Sequence, residues 1–432
     1  MPLARTSSCC FSAAPDGGAS QPNATAGNLA ATTSSASDTS TSSEVPSVSS
    51  NDDAVSIITL PSLPSLLLLP IISSPSASLP TSSHLCLSSL PPSSSSLSLS
   101  LSPSHPHLLY TASDLAISIY DLSSLNLLAS FPVSSRSGSA KSLALSADSH
   151  HLLSSHQDGR IRLWPAAPNP SRPRQITTLP TLSDRLRRLP IPKNYVTVRR
   201  HCKRLWIEHA DAVSSLAAHH DLIYSASWDK TLKIWRASDL RCLESIPAHE
   251  DAINAIAVAG DGTIYTGSAD RRIRVWGKSP GEKRHSLVAT LEKHRSAVNA
   301  LALSPDGSVL YSGSCDRSIL VWEREESAKY MVVSGALRGH QRAVMSLVCV
   351  VDVLFSGSSD RTVRIWRRGE DGKYACLGVM EGHTTGVRSL AAVPVTAPEA
   401  DEGKEFRVCS ASLDGEVRVW KVGISPGKAS DS

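Results

Sequence analysis

The chain has 432 residues, 41% of them hydrophobic, and is therefore long enough to bury a sizeable core. Its formal net charge of +4 is too small to indicate nucleic acid, a membrane surface or any other class of partner. Nine cysteines occur without a Cys-x-x-Cys pair or a regular spacing, which excludes a disulfide framework and favours a reducing compartment. We therefore expect a protein of the cytoplasm, the nucleus or both.

Residues 1–80 are predicted to be a disordered extension. They are rich in Ser, Thr, Ala and Pro, and the first fifty contain too few bulky apolar side chains to offset chain entropy. An organelle transit peptide stays open because this start contains few acids, but Arg5 is its only Arg in fifty residues. Residues 55–72 are apolar and broken by three prolines, so we expect a linker or a short docking segment and no membrane span.

A repeated unit organises the rest of the chain, from residue 81 to 423. In each copy an Asp is followed six positions later by an aromatic residue, which is Trp in six copies and Tyr in the first. The copies are Asp114–Tyr120, Asp158–Trp164, Asp229–Trp235, Asp270–Trp276, Asp316–Trp322, Asp360–Trp366 and Asp414–Trp420. Successive Asp residues are 44, 71, 41, 46, 44 and 54 positions apart, which is the period of β-propeller blades with extra residues in two of them.

The alternation of side chains inside each copy predicts β-strands. In residues 231–235, Leu232 and Ile234 share one face of the strand, and the polar and aromatic residues share the other. A strand at 84–90 has no partner before it, and the last copy lacks a fourth strand. We expect these two to pair, because pairing would close a ring and remove two exposed sheet edges. The sequence thus predicts an all-β, seven-bladed β-propeller with a tail at 424–432.

Five copies carry two further residues, a Ser or Thr four positions before the Asp and a His further upstream. With the Asp and the Trp, these residues resemble the signature of the WD40 family. The resemblance implies a hydrogen-bonded tetrad in each of the five blades, with a structural rather than a catalytic role. The expected tetrads are His209, Ser225, Asp229 and Trp235; His249, Thr266, Asp270 and Trp276; His294, Ser312, Asp316 and Trp322; His340, Ser356, Asp360 and Trp366; and His383, Ser410, Asp414 and Trp420. The second copy has Arg136 where the His is expected, and the first has neither His nor Trp.

A narrower resemblance extends beyond the repeated residues, over about residues 84–422. The segments that carry it are Val-Thr-Val-Arg-Arg-His at 196–201, Trp-Ile-Glu-His-Ala-Asp-Ala-Val-Ser-Ser-Leu at 206–216, Ser-Ala-Ser-Trp-Asp at 225–229 and His-Ser-Leu-Val-Ala-Thr-Leu-Glu-Lys-His at 285–294. They are similar to plant WD40 proteins of the JINGUBANG type. This resemblance implies a non-enzymatic regulatory or scaffolding protein of the cytoplasm and nucleus.

Two inserts interrupt the repeats. Residues 394–405 contain several acids and are predicted to be a solvated loop, whereas residues 165–208 have a proline-rich part followed by a basic part. The basic residues of the second insert are Arg185, Arg187, Arg188, Lys193, Arg199, Arg200, Lys203 and Arg204. They favour a solvated loop or a protein-docking arm over a nucleic-acid site, because no regular aromatic residues for base stacking are interleaved with them.

No motif for catalysis, for metal binding or for a phosphate loop occurs, so we predict no enzyme, no metal, no cofactor and no small-molecule substrate. In a propeller, the turn that holds the tetrad Asp opens on the same face as the loop that holds the His. The candidate partner-binding residues on this face are Trp228, Lys230, Arg271, Arg317, Arg342 and Arg361. We expect them to bind another protein or a peptide, acidic or phosphorylated. The alternative is that Trp228 packs on a neighbouring blade and the cations are solvated.

Two other functions stay open. A substrate receptor of a cullin-type ubiquitin ligase carries an acid after a blade Trp and an Arg two residues beyond it. Trp322 and Glu323 begin this pattern, but Glu325 occupies the later position and argues against it. The second alternative is nucleic-acid association through the basic insert. The sequence indicates neither the oligomeric state nor the identity of the partner.

Overall fold

The computed structural model describes the chain from residue 82 to residue 425, with gaps. The described residues are 82–90, 98–101, 105–134, 137–166, 175–199, 202–279, 281–282, 284–324, 331–369, 372–395 and 404–425. The predicted disordered extension, with its apolar residues 55–72, lies outside them. Among the described helices, none combines the length and the apolar content needed to cross a membrane.

In the described part of the chain, twenty-eight strands form seven antiparallel four-stranded sheets, the blades of a propeller. We call the four strands of a blade a to d, from the axis outward. The elements up to the end of blade 3 are β1 (Ser82–Leu90), β2 (Ser98–Leu101), β3 (Leu108–Ala112), β4 (Ala116–Asp121), β5 (Leu127–Pro132), β6 (Ala140–Leu145), β7 (His151–His156), β8 (Ile161–Pro165), β9 (Thr177–Leu179), α1 (Leu182–Arg188), a 3-10 helix (Pro192–Asn194), β10 (Tyr195–Arg199), β11 (Cys202–Leu205), β12 (Val213–His219), β13 (Leu222–Ser227), β14 (Thr231–Arg236) and β15 (Cys242–Pro247).

Blades 4 to 7 follow without a further helix in the described residues. Their strands are β16 (Ile253–Val258), β17 (Ile264–Ser268), β18 (Ile273–Gly277), β19 (Ser286–Leu291), β20 (Val298–Leu303), β21 (Val309–Ser314), β22 (Ile319–Arg324), β23 (Met331–Leu337), β24 (Val344–Val350), β25 (Val353–Ser358), β26 (Val363–Arg368), β27 (Tyr374–Met380), β28 (Val387–Pro394), β29 (Lys404–Ser412) and β30 (Val417–Ile424).

The blades form a closed ring. Each a strand packs against the a strand of the next blade, and β28 packs against β2 to complete the circle. The strand β1 is the d strand of blade 7, where it pairs antiparallel with β30 from Ser82 opposite Ile424 to Leu90 opposite Val417. The predicted seven-bladed propeller, including closure by the N-terminal strand, is therefore confirmed. Ile424 is the last residue of β30 and so belongs to the blade, not to the predicted tail.

Neighbouring blades pack face to face, because alternating side chains place apolar groups on both faces of each sheet. Leu232 and Ile234 of β14 pack toward blade 4 against Ile256. Trp235, on the other face, packs toward blade 2 against Leu163. Each such fully buried side chain contributes about 1.5–3 kcal/mol to folding. The ring is thus held by one hydrophobic layer between each pair of blades.

The basic insert is a folded structure and is shorter than the predicted 165–208. Residues 177–179 are the d strand of blade 2, and the insert then forms α1 and the antiparallel hairpin of β10 and β11. Asp184 and Arg188 of α1 bind the backbone N–H and C=O of Cys242 at 3.4 and 3.3 Å. Cys242 begins the outermost strand of blade 3, so α1 covers part of an otherwise open sheet edge.

The acidic insert is also shorter than the predicted 394–405. Pro394 ends β28, and Lys404 begins β29. Glu405 lies in β29, where its carboxylate pairs with Lys421 at 2.9 Å. Residues 396–403 lie outside the described residues, so the prediction of a solvated acidic loop stays a prediction for them.

Candidate interaction face

Four blades contain the complete predicted tetrad. In blade 3, Trp235 Nε1 donates to Ser225 Oγ at 2.9 Å, Ser225 Oγ bonds His209 Nε2 at 2.8 Å, and His209 Nδ1 bonds Asp229 at 3.0 Å. The same chain of contacts joins the corresponding residues of blades 4, 5 and 6 at 2.8–3.0 Å. Each tetrad ties the loop before strand a to the b–c turn and to strand c.

The proton positions in a tetrad follow from the donors. An indole N–H only donates, so the Ser225 oxygen accepts from Trp235 and its own hydrogen goes to His209 Nε2. His209 is then neutral, with its Nδ1–H donated to Asp229. Burial lowers the pKa of His209, which agrees with this neutral form. Burial alone would raise the pKa of Asp229, but its pairing with His209 and its hydrogen bonds outweigh burial and hold this pKa far below its usual value.

Blade 7 departs from the predicted tetrad. Trp420 and His383 both bond Ser410, at 2.8 and 2.7 Å, as in the other blades. However, the carboxylate of Asp414 accepts from the hydroxyls of Thr384, at 2.5 Å, and Ser412 and from the backbone N–H of Glu416, at 3.1 Å. The prediction that Asp414 completes the tetrad is therefore wrong.

The sequence next to His383 explains this departure. Blade 7 has the hydroxyl-bearing Thr384 directly after the His, whereas blades 3 to 6 have Ala, Glu, Arg and Gln there. The Thr384 hydroxyl draws Asp414 away, and Glu416 supplies the carboxylate nearest to His383 Nδ1, at 3.4 Å. Glu416 also accepts from Ser89 of β1 at 2.7 Å, so it links the tetrad region to the strand that closes the ring.

Blade 2 builds its hydrogen-bond chain with a different histidine. Trp164 donates to Ser154 at 2.8 Å, and Ser154 bonds His156 Nε2 at 2.8 Å. His156 lies two positions after the Ser in the same strand and is fully buried. Asp158, the expected fourth member, pairs instead with Arg162 at 2.6 Å. Arg136, which the sequence placed at the His position, lies outside the described residues.

The b–c turns and the loops that hold the tetrad His lie at one end of the propeller, which we call the tetrad face. The residue directly after the tetrad Asp has a left-handed backbone in every blade from 2 to 7. These residues are Gly159 (φ 78°), Lys230 (72°), Arg271 (73°), Arg317 (71°), Arg361 (72°) and Gly415 (88°). In four of the six turns, a long cation occupies a conformation that favours glycine.

Trp228 is the large aromatic residue of the tetrad face. Its side chain is 37% exposed, and its backbone N–H donates to Ala212 O at 3.0 Å. Lys141 of blade 2 lies over the indole ring, with Nζ 5.6 Å from the ring centroid. The sequence left two alternatives for Trp228, a partner-binding residue or a residue packed on a neighbouring blade. Trp228 contacts Lys141 of blade 2 and still presents over a third of its surface to solvent, so the structure has features of both.

A groove of about 630 Å³ lies between the insert hairpin and blade 3, and Asp229 and Lys230 of the b–c turn are among its lining residues. Val196 and Trp206 contribute to the insert wall, and Lys230 and Pro247 to the blade wall. The buried ammonium of Lys233 also lines the groove and donates to Trp206 O at 2.5 Å. The groove therefore extends the tetrad face outward over the rim of blade 3.

Comparison with family models matches this chain six times to the WD domain, G-beta repeat. The matches cover residues 126–165, 200–236, 240–277, 285–323, 331–367 and 374–421, which is more than half of the chain. The chain belongs to the WD40 repeat family.

Comparison with characterised proteins finds other WD40 proteins of modest identity. Protein Notchless of Drosophila melanogaster is 38% identical over 82 residues, 19% of this chain and 16% of that protein. The small ribosomal subunit protein RACK1 of the same fly is 28% identical over 103 residues, 23% of this chain and 31% of that protein. The ribosome biogenesis protein WDR12 homolog of Chlamydomonas reinhardtii is 32% identical over 107 residues, 23% of this chain and 24% of that protein. The chain thus spans less than a third of each relative's length.

All six predicted partner-binding residues of this WD40 chain are exposed on the tetrad face. Lys230 is the most constrained of them, because its Nζ donates to the backbone oxygen of Glu250 at 2.6 Å. Their binding role stays a prediction. His156 and Glu416 are not predicted from the sequence, although a His two positions after the repeat Ser and an acid two positions after the repeat Asp are visible signals. Lys141 is not predicted either, because only the fold brings it against Trp228.

The buried His156 gives blade 2 a testable pH dependence. Burial lowers the pKa of His156 to about 4, so the folded protein resists its protonation while the unfolded chain accepts a proton near pH 6.5. The stability associated with neutral His156 is present above pH 6.5 and is lost as the pH falls toward 4, by roughly 3 kcal/mol in total. We expect His156→Gln, which does not titrate, to flatten this part of the stability profile in urea unfolding. An unchanged slope would contradict the assignment.

Proposed function

We propose that this WD40 propeller is a non-enzymatic protein-interaction platform whose working surface is the tetrad face. The observation that carries the proposal is the set of four exposed cations held with positive φ at equivalent turns, next to an exposed Trp. Propellers of this family serve as interaction scaffolds, which supports the proposal. Blades 2 and 7 have Gly159 and Gly415 directly after the Asp, so a residue without strain in the left-handed region fits the same turn.

The cost of these turns supports a role in binding. A residue other than Gly in the left-handed region is disfavoured by about 1–2 kcal/mol. Lys230, Arg271, Arg317 and Arg361 all accept this cost while their side chains remain at the surface. Local strain of this kind is commonly retained where a side chain has a function. A cation fixed in this way loses less entropy when it binds a partner.

The proposed partner is an acidic or phosphorylated segment of another protein. Guanidinium groups bind carboxylate and phosphate through paired hydrogen bonds, and an exposed indole anchors apolar side chains. Part of the face has the opposite charge, since Asp211 and Glu250 are also exposed. Arg272 neutralises Glu250 at 3.0 Å, which leaves the b–c turn cations as the dominant charges on blades 4 to 6.

The two alternative functions receive less support. For a cullin-type receptor, the acid after the blade Trp must be available, but Glu323 pairs with Arg368 of the next blade at 3.0 Å. For nucleic acid, the insert cations must face outward, but Arg185 pairs with Glu208 and Arg188 pairs with Asp184. The basic insert is therefore partly neutralised by its own acids.

The resemblance to plant proteins of the JINGUBANG type adds a regulatory context to this proposal. It rests on residues 196–201 and 206–216, which include parts of the insert hairpin and of the loop that holds His209. A regulatory scaffold of the cytoplasm and nucleus fits a chain whose cysteines follow no disulfide spacing, and we propose that location. Six cysteines of the described residues are free thiols, namely Cys86, Cys202, Cys242, Cys349, Cys376 and Cys409.

The proposal is tested by affinity purification of the tagged full-length chain from its native tissue. The test variant combines Trp228→Ala with Arg317→Gly, because Gly relieves the left-handed turn and leaves folding intact. We expect its melting temperature to stay within about 2 °C of the original, while a distinct set of partners falls at least about fivefold.

The matched control combines Leu128→Ala with Arg236→Ala, which removes an apolar group and a cation away from the tetrad face. Leu128 is 39% exposed, close to the 37% of Trp228. We expect this control to keep all partners. An unchanged partner set for the Trp228 variant would contradict the proposal and direct attention to the insert.

A further inference from the structure

The a strands of blades 2 to 7 begin at the tetrad face, and the second residue of each of these strands surrounds the propeller axis there. In blades 3, 4 and 5 these residues are Ser214, Asn254 and Asn299. Each donates to a backbone oxygen of the next blade's a strand, at 2.5, 3.0 and 3.0 Å. The side chains at this position therefore lean toward the following blade and form a ring at the mouth of the central channel.

Two members of this ring are cations, and both flank blade 1. They are Lys141 of blade 2 and Arg388 of blade 7, whereas blades 3 to 6 have Ser, Asn, Asn and Met at the same place. Interblade hydrogen bonds fix the level of these strands. Leu99 N donates to Ser389 Oγ at 3.0 Å, and Leu143 N donates to Ser98 Oγ at 3.2 Å. Lys141 and Arg388 consequently lie at the same height on the two sides of β2.

The two cations act on each other in a partly buried place. Burial and then the charge of Arg388 lower the pKa of Lys141, the carboxylate of Asp114 on blade 1 opposes both effects, and the net pKa is about 8. Burial likewise lowers the pKa of Arg388, again opposed by Asp114. Two cations thus act on each other in a partly buried place, where an anion interacts with them more strongly than in bulk water.

Exposed apolar side chains stand on both sides of Lys141, on blades 1 and 3. Trp228 of blade 3 contacts Lys141, and Leu115 of blade 1 follows Asp114 directly in its b–c turn. Leu115 is 63% exposed, and Trp228 is 37% exposed. An extended peptide that crosses the mouth from blade 1 to blade 3 would place apolar residues on both and a charged residue between them.

We propose that Lys141 and Arg388 form the recognition site for one phosphate or carboxylate group on an extended peptide, whose flanking apolar side chains pack on Leu115 and Trp228. This inference rests on the proposed function and adds the chemistry of the partner. A discrete anion suits the site better than a nucleic-acid strand, because exposed acids such as Asp211 and Glu250 interrupt any continuous basic track around it.

The test measures binding of the full-length chain to three immobilised libraries of nine-residue peptides. The libraries share random positions and differ in a central Ser, phosphoserine or Glu, so they separate phosphate from carboxylate sources. We expect retention on one or both anionic libraries at least about tenfold above the Ser library. Lys141→Met with Arg388→Met should abolish this preference, whereas the control Arg236→Met, an exposed cation away from the tetrad face, should keep it.

Binding to the phosphoserine library is also measured between pH 7 and 9, because its dependence on the charge of Lys141 differs from the effect of an unfolded variant. Between pH 7 and 9 phosphoserine stays doubly charged, while Lys141 loses most of its charge, so retention on the phosphoserine library should fall up to about tenfold. The charged groups that act on Lys141 are Arg388 and Asp114. Lys141→Arg should keep binding and remove the pH dependence.

The outcomes separate this inference from the proposed function. Equal retention on all three libraries, or a preference that survives the double variant, overturns the anion site. Competition by a nine-residue oligothymidylate at equal concentration also overturns it, in favour of nucleic acid. If the Trp228 variant loses partners in purification but the libraries show no charge preference, the interaction face stands and only its anion chemistry is wrong.

Discussion

Replacing Asp229 by Ala is expected to lower the free energy of unfolding by about 3–4 kcal/mol, whereas the same change at Asp414 should cost only about 1 kcal/mol. The Asp229 carboxylate accepts from His209 Nδ1, Ala210 N, and the N–H and hydroxyl of Thr231 at 2.6–3.0 Å. Its removal leaves several buried donors without a partner. Asp414 instead accepts from the hydroxyls of Thr384 and Ser412 and from Glu416 N. Thr384 is exposed and can turn to water, and the hydroxyl of Ser412 also reaches Glu416 O at 3.3 Å.

Urea unfolding of the two variants beside the original chain measures this difference. Because its partners lower the pKa of Asp229, the stabilisation is present above the unfolded pKa near 4 and is lost as the pH falls through the folded value. The gap between the original chain and Asp229→Ala should therefore narrow below pH 4. Equal losses for Asp229→Ala and Asp414→Ala would contradict the distinction between the two blades.

Deleting residues 82–90 is expected to lower the melting temperature by about 10 °C or more and to make the protein prone to aggregation. This deletion removes β1, which is the d strand of blade 7, and exposes the edge of β30. It also removes the bond from Ser82 Oγ to Leu377 O of blade 6, at 2.7 Å, and the buried side chain of Leu90. Blade 7 would then keep three strands, and the ring would no longer be closed by pairing between the two ends of the described chain.

A deletion of equal length inside the N-terminal extension, residues 20–28, is the matched control. The sequence predicts that segment to be disordered, so its loss should change the melting temperature by no more than about 1 °C. Scanning calorimetry and light scattering on both proteins give the comparison. A ring that melts unchanged without β1 would contradict its closing role.

The sequence predicted the propeller because the information for a blade is local. The members of the tetrad in blade 3, from His209 to Trp235, lie within one repeat, and their spacing recurs in the next repeats. Alternation in residues such as Leu232 and Ile234 then assigned the strands. Even the pairing of β1 with blade 7 followed from counting strands. The first strand had no partner in its own repeat, and the last blade had no fourth strand.

For the basic insert, the sequence predicted the composition but not the folded structure. Its run of basic residues is plain in the sequence, but the pairing of Arg185 with Glu208 and the stacking of Arg188 on Trp206 at 4.5 Å depend on the hairpin that folds back. Without those contacts the charges indicated a solvated loop or a docking arm. The folded insert instead covers a sheet edge and forms one wall of a groove.

What the sequence by itself determined is the repeat, and with it the fold, the blade number and the location of the tetrad face. The tertiary structure alone decided which carboxylate serves His383, which histidine serves Ser154, and that Lys141 meets Trp228. These choices depend on distances between side chains from different strands or blades, and a hydroxyl such as Thr384 can redirect a carboxylate over a few ångströms. Sequence spacing determines which backbone segments recur. Which donor binds which acceptor depends on the distances between side chains, and these are set only when the blades pack.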